Sequence, residues 1–243
     1  MIVTLTIIRY PKRHILFALI AMMIHRFPLW INRKIVFYKL MGSGKNGSFD
    51  KHPDWQQWAI FSISKKSFKN FEFKNFPEQV LHQKLFGTFI RKWFDFFNCQ
   101  TITYILNPIE GHGLWDGKTL FDDLPVKTDY EGRIAVLTRA TIRLSKLNQF
   151  WRNVDGVAAQ MADAEGFIAS YGIGEIPFIK QATFSIWENK AAMKNFAYQL
   201  KAHKDVIQKT RKENWYSEDM FVRFTINGAI GSINGINVLK GKL

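Results

Sequence analysis

The chain has 243 residues, 47% of them hydrophobic, with 22 Phe and 8 Trp, which leaves room for one large or two small globular domains and excludes intrinsic disorder. Thirty-four Lys and Arg against 20 Asp and Glu give a net charge of +14, a balance that attracts nucleic acid, anionic lipid or acidic cofactors. The lysines are scattered and no RNP, zinc-finger or helix-turn-helix pattern accompanies them, which argues against nucleic acid; a single Cys99 excludes a disulfide framework and a cysteine metal cluster and suits a reducing, cytoplasmic setting.

Ile2–Tyr10 (IVTLTIIRY) is β-branched and alternating, and predicts a strand ended by Pro11. Lys12 to about Arg26 predicts a helix whose core, Ile15–Ile24, is ten apolar residues. That run imitates a signal peptide, but no small-residue cleavage site follows it. Ten residues are too few to span a bilayer, for which about 20 are needed, so a buried helix is expected, with shallow docking on a membrane as the alternative. Strands follow at Lys34–Met41 and Trp58–Ser64, a helix from Pro77 to about Trp93, and a strand at Gln100–Leu106.

After a connector from residue 119 to 132 the order begins again. Arg133–Arg143 is a strand, Leu147–Met161 a helix with Ser145 as its cap, and Gly166–Tyr171 and Phe178–Trp187 are strands. Ala191–Asn214 is a helix and Met220–Ile226 the last strand. Residues match as well as pattern: Gly42-x-Gly44 answers Gly172-x-Gly174, Phe61-Ser62-Ile63 answers Phe184-Ser185-Ile186, and His82, Trp93 and Asn107 answer His203, Trp215 and Asn227. The expectation is an α+β protein of two tandem ferredoxin-like βαββαβ units, residues 1–118 and 133–243, forming a pseudo-dimeric α+β barrel.

Neither glycine pair is a nucleotide fingerprint, because no helix N-terminus follows; both predict tight strand-to-strand connections. No histidine pair has zinc-like spacing and no Gly-x-Ser-x-Gly elbow is present. His14, His25 and His52 sit in charged or turn surroundings that predict solvation, and His112 sits in a glycine-rich loop. His203 shares a helical stripe with Met193, Phe196, Leu200 and Ile207, and is either a hydrogen-bonded core residue or a ligand to a metal or haem. His82 holds the equivalent place in the first copy. On the strands of the second copy, alternate positions carry Arg139, Thr141, Arg143, then Gln181, Thr183, Ser185, then Arg223 and Thr225. They predict a polar face that lines a pocket or meets the other copy.

In FYKLMGSG (Phe37–Gly44), LTRATIR (Leu137–Arg143), GIGEIPFIKQATFSIW (Gly172–Trp187) and the run from His203 through TRKENWYSEDMFVRF to Phe224, the chain resembles the spheroidene monooxygenase family of carotenoid-modifying enzymes. The resemblance implies a haem b monooxygenase that inserts oxygen into a carotenoid or similar lipophilic molecule, giving a keto group. It implies His203 as the iron ligand, with Lys201, Lys204 or Arg211 near the haem propionates and Arg139 as a distal, catalytic donor. A lipophilic substrate, O2 and an external electron-donor protein are the expected partners, together with peripheral membrane contact through the apolar helix and, at most, a homo-oligomer. A non-catalytic haem carrier and a cofactor-free oxygenase of the same fold are the alternatives.

Overall fold

The computed structural model describes residues 1–45, 47, 50–65, 77–121, 124–199, 209–210 and 212–241, with the backbone alone for 154–159 and 198–199. Its contacts divide the chain into two units: Met1–Gly42, Asp54–Asn107 and Ile226–Leu243 in the first, Ser43–Pro53 and Pro108–Thr225 in the second. The division departs from boundaries at 118 and 133, because β2 (Ile35–Gly44), β4 (Gln100–Gly113) and β8 (Tyr216–Gly231) each change unit partway along.

The first copy of the pattern runs β1 (Ile2–Arg9), α1 (Ile15–Ile24), α2 (Arg26–Ile31), β2 (Ile35–Gly44), β3 (Pro53–Ser64), α3 (Glu78–Phe86), α4 (Thr88–Phe96) and β4. The second runs β5 (Ile134–Ile142), α5 (Leu147–Ala162), β6 (Phe167–Ile176), β7 (Lys180–Trp187), α6 (Lys190–Gln199) and β8. The fold is α+β. In the first unit β1 lies antiparallel between β3 and β4; in the second β5 lies antiparallel between β7 and β8, with β6 beyond β7. Both copies therefore thread their sheets in the same way.

Several local expectations shift. The helix expected over 77–93 is two helices, broken at Gly87, whose φ of +87° an L side chain adopts only with strain. Ser145 makes no cap; it sits in a 3-10 turn ahead of α5. Gly42–Gly44 and Gly172–Gly174 are not connections but lie inside β2 and β6. Within β6 a Cβ on Gly174 would stand 2.9 Å from the Lys180 carbonyl oxygen, so glycine lets the neighbouring strand come close.

The two strand–helix patterns also end alike. Each copy ends its last strand on a glycine of positive φ, Gly113 (+97°) and Gly231 (+92°). Each is followed by a two-residue reversal bridged Trp115 to Lys118 and Ile233 to Ile236. The turn residues are Asp116-Gly117 and Asn234-Gly235, all with φ between 52° and 75°, the geometry of a type I′ turn. A Cβ at Gly113 would meet the Asp219 carbonyl oxygen at 2.3 Å, and one at Gly231 the Thr101 carbonyl oxygen at 2.2 Å.

The apolar N-terminal helix is not the buried helix its composition predicts. It turns Ala18 and Ala21 into the core of the first unit and leaves Leu16, Phe17, Leu19 and Met23 exposed.

Candidate functional site

Register fixes which side chains share a face, since directly opposed residues point the same way. In the second unit Ile134, Val136 and Trp187 pack with Met161 of α5 and Met193 and Phe196 of α6. Farther along the same side of the sheet, Ile142 packs with Phe150, Trp151 and Trp215. These two apolar clusters mark the helix side. Between them on β5 stand Thr138 and Ala140, opposed on β7 by Thr183 and Gln181, and Thr183 is opposed on β6 by Gly172. The middle of this face is thus small and polar. The Thr183 hydroxyl oxygen is buried with no hydrogen-bond partner among the described residues, an arrangement that costs about 1–3 kcal/mol if nothing satisfies it.

The polar face expected from alternation is split in two by this register. Arg139 opposes Ala182 and Met220, whereas Arg223 opposes Val136, so Arg223 lies on the helix side with Thr183 and Ser185 while Arg139 and Thr141 face the other way. Counting alternate residues within each strand cannot phase one strand against the next. A one-residue slip exchanges the faces.

Arg139, 1% exposed, is held among carboxylates. It bonds Glu218, its second terminal nitrogen lies 3.5 Å from Asp116 and 3.7 Å from Glu175, and its guanidinium carbon is 5.6 Å from the Trp115 ring centre. Glu218 in turn accepts the backbone N–H groups of Asp116 and Gly117 at 2.8 and 2.9 Å. The Trp115 indole donates to Glu175 at 2.7 Å, and Lys180 meets Asp116 at 2.6 Å. The positive charge of Arg139 is therefore spent on fixing the 115–118 turn to β5 and β8.

A second buried network sits on the helix side. Glu110, fully buried, ion-pairs with Arg223 and, at 2.7 Å, with Lys190 at the start of α6. It also accepts the Thr128 backbone N–H and hydroxyl at 2.8 and 2.9 Å. Among the described residues two cations share one carboxylate, a surplus of positive charge, and burial pushes the Arg223 pKa down. Sequence reading singled out Arg223 but missed Glu110, Lys190 and Thr128. They come from three separate elements and have no motif in common.

His203, Lys201, Lys204 and Arg211 lie outside the described residues. The first two members of the His203 stripe, Met193 and Phe196, are buried against the sheet as expected. His82, the counterpart in the first copy, is a packed core residue. Its Nε2 is 3.3 Å from the Thr103 hydroxyl, its ring contacts Phe86 and Phe94, and burial lowers its pKa to about 4. His25 is not solvated. It is 2% exposed, edge-on to Phe89, Trp93 and Phe94, with its pKa lowered by burial to about 4. His52 is exposed beside Asp50 at 3.1 Å, and His112 is exposed and stacked on Phe221. Among the described residues no three His, Cys, Asp or Glu side chains converge as a metal site.

Three comparisons place this architecture. No family model matches the chain. Among solved structures, an aldoxime dehydratase in complex with butyraldoxime is similar over 98% of this chain and 84% of its own, with a TM-score of 0.57 at 9% identity, a likeness of fold alone. The spheroidene monooxygenase of Cereibacter sphaeroides is 31% identical over 238 residues, 96% of this chain and 69% of that protein. That of Rhodobacter capsulatus is 30% identical over 91% of this chain and 88% of its own.

These relatives define the class as an oxidoreductase, a monooxygenase. More narrowly, the chain belongs to the spheroidene monooxygenase family.

Proposed function

We propose that the protein is a haem b monooxygenase that oxidises a carotenoid or a similar lipophilic polyene, with the cofactor on the helix side of the second βαββαβ copy. The observation that carries this reading is the small, polar middle of that face, with a Thr183 hydroxyl that has no partner among the described residues, between two apolar clusters. A flat group bounded by apolar edges fits Thr138, Ala140, Gly172 and Thr183 better than it fits bulky side chains. Met193 and Phe196 of α6 are buried, and by helical spacing in the sequence His203 falls on their stripe; it is proposed as the iron ligand. Lys201, Lys204 and Arg211 are proposed for the propionates, and the surplus charge at Lys190 and Arg223 favours an anionic group nearby. The reading takes the two copies as tandem ferredoxin-like units of a pseudo-dimeric barrel, supported by their common strand order.

Haem, when bound, supplies the activation of oxygen. This chain's residues bind and orient. Thr183 offers a hydroxyl that can hydrogen-bond a polar atom at the face, and the apolar clusters keep water from both ends. Because Arg139 is held by three carboxylates, it positions the 115–118 turn and does not reach the helix side. Each oxygen insertion consumes one O2, two electrons and two protons and releases one water. Two insertions at one methylene give a hydrate that loses water to leave a ketone. The electrons come from a separate donor protein.

The test is the absorption spectrum of protein produced with haem supplied, followed by product analysis with carotenoid, reductant and O2. A Soret band lost in His203→Ala and kept in His82→Phe is the expected result. Product formed without iron porphyrin would establish the cofactor-free oxygenase instead. A Soret band with turnover only of other lipophiles would move the substrate class.

A further inference from the structure

The segment from Lys12 to Ile31 is inside out by the ordinary rule for a surface helix. Its inward stripe is Ala18, Ala21, His25 and Leu29, all buried in the first unit. Its outward stripe is Leu16, Leu19, Met23, Phe27 and Trp30, exposed by 65, 39, 68, 65 and 74%. The spacings are 3 or 4 residues in both, so each is one continuous helical face. Small residues are spent on the core and large apolar ones on the outside. Phe89, edge-on to His25, and Phe96 of α4 are also exposed, by 50 and 77%. Five large apolar side chains on one helical face exceed what an isolated soluble chain scatters on its surface, and such a patch marks an interaction site.

Its surroundings say what covers it. Residues 1–49 contain eight Lys or Arg (Arg9, Lys12, Arg13, Arg26, Arg33, Lys34, Lys39, Lys45) and no Asp or Glu. Four of these cations, Lys12, Arg13, Arg33 and Lys34, stand at the two ends of the stripe, and Arg26 interrupts it. Apolar side chains with an aromatic pair, bounded by cations, match the layering of an anionic bilayer surface, where acyl chains lie below phosphate. We propose that α1 and α2 dock the protein flat on an anionic membrane surface through Leu16, Leu19, Met23, Phe27 and Trp30, with the flanking cations on lipid phosphates.

The helical run, 20 residues with a mean hydropathy of 1.6, is also long enough to cross a bilayer. It is fastened to the first unit along its length, which favours lying on the surface. His14 meets the Phe97 carbonyl oxygen at 3.1 Å, the Tyr38 hydroxyl donates to the Arg26 carbonyl oxygen at 3.1 Å, and Asn32 donates to the Leu85 carbonyl oxygen at 3.1 Å. The proposal stands apart from the reading of the cofactor site, because docking requires neither haem nor substrate.

Flotation of the purified full chain with vesicles tests it, using phosphatidylcholine alone and phosphatidylcholine with a quarter phosphatidylglycerol. The wild type floats with the anionic vesicles, and alkaline carbonate releases it. Met23→Ser/Phe27→Ser/Trp30→Ser lowers the partition at least tenfold with circular dichroism unchanged. Lys12→Gln/Arg33→Gln lowers it on anionic vesicles alone, by about fivefold per cation. Failure to float, flotation indifferent to both variants, or retention through carbonate overturns the proposal. A dimer in solution that the triple serine variant dissociates, with no flotation, gives the surface to a second copy and also overturns it.

Discussion

Aligned by strand register on the pairs Leu5–Phe61 and Leu137–Phe184, the two copies differ on their helix sides. Where the first copy has Thr6 opposite Ile60 and Ile8 opposite Trp58, the second has Thr138 opposite Thr183 and Ala140 opposite Gln181. Ile105 of the first corresponds to Arg223 of the second. In the first copy Ile8 and Ile60 belong to one continuous apolar core with α1 to α4, and hydroxyls on this face are mutually bonded, Thr4 to Ser62 at 2.8 Å and Thr6 to Thr103 at 2.9 Å. In the second, the described residues form two clusters on this face, and between them the Thr183 hydroxyl has no hydrogen-bond partner among the described residues. One sheet layout serves two purposes. Large residues fill this face of the sheet in the first copy, and small or polar ones take their places in the second, which is the contrast the proposed cofactor site rests on.

The largest effect expected from challenging this contrast is at Glu110. Glu110→Ala leaves Arg223 and Lys190 buried without their carboxylate and destabilises the protein by about 3–5 kcal/mol, measured by urea unfolding. Loss under about 1 kcal/mol would mean that solvent reaches the cluster.

Acid acts next, and on the first copy. His82 and His25 have folded pKa values of about 4 against an ordinary 6.5, so the unfolded chain binds more protons between those values. Stability is full above about pH 6.5, falls as pH drops toward 4, and each ring accounts for up to about 3 kcal/mol of the loss. His82→Phe should flatten that slope in unfolding measured from pH 7 to 4. An unchanged slope would place the ring in contact with water.

Exchanging residues between the copies is the sharper test. Ile60→Thr opens the filled side and costs about 2 kcal/mol. Thr183→Ile, the reverse change, should leave stability within about 1 kcal/mol while lowering turnover at least tenfold, if this face holds the proposed cofactor. If it instead destabilises by the 1–3 kcal/mol of an overfilled core, the middle of the second copy is already packed with protein and the contrast fails.

Strand and helix order could be read from the chain because they depend on local periodicity. Alternating β-branched runs and 3.6-residue stripes reported the βαββαβ order twice. The family could be read too, from segments spread over most of the chain. Breaks such as Gly87 could not, since two short helices joined at a glycine and one uninterrupted helix share the same apolar spacing until a backbone angle is known.

What only the tertiary structure decided is partnership between distant residues. Arg139 has the sequence neighbours of a pocket residue, yet its carboxylates arrive from positions 116, 175 and 218. Glu110 joins a network with Arg223 and Lys190 that no spacing announces. The N-terminal helix shows the same division. Its composition fixed that it is helical and apolar, but the choice of inward face went to Ala18 and Ala21, because small side chains let the helix approach the sheet closely, and the bulky side chains were left outside. Periodicity is a property of one segment, whereas register and facing belong to pairs of segments, and the energy that sets them appears only when the pair has met.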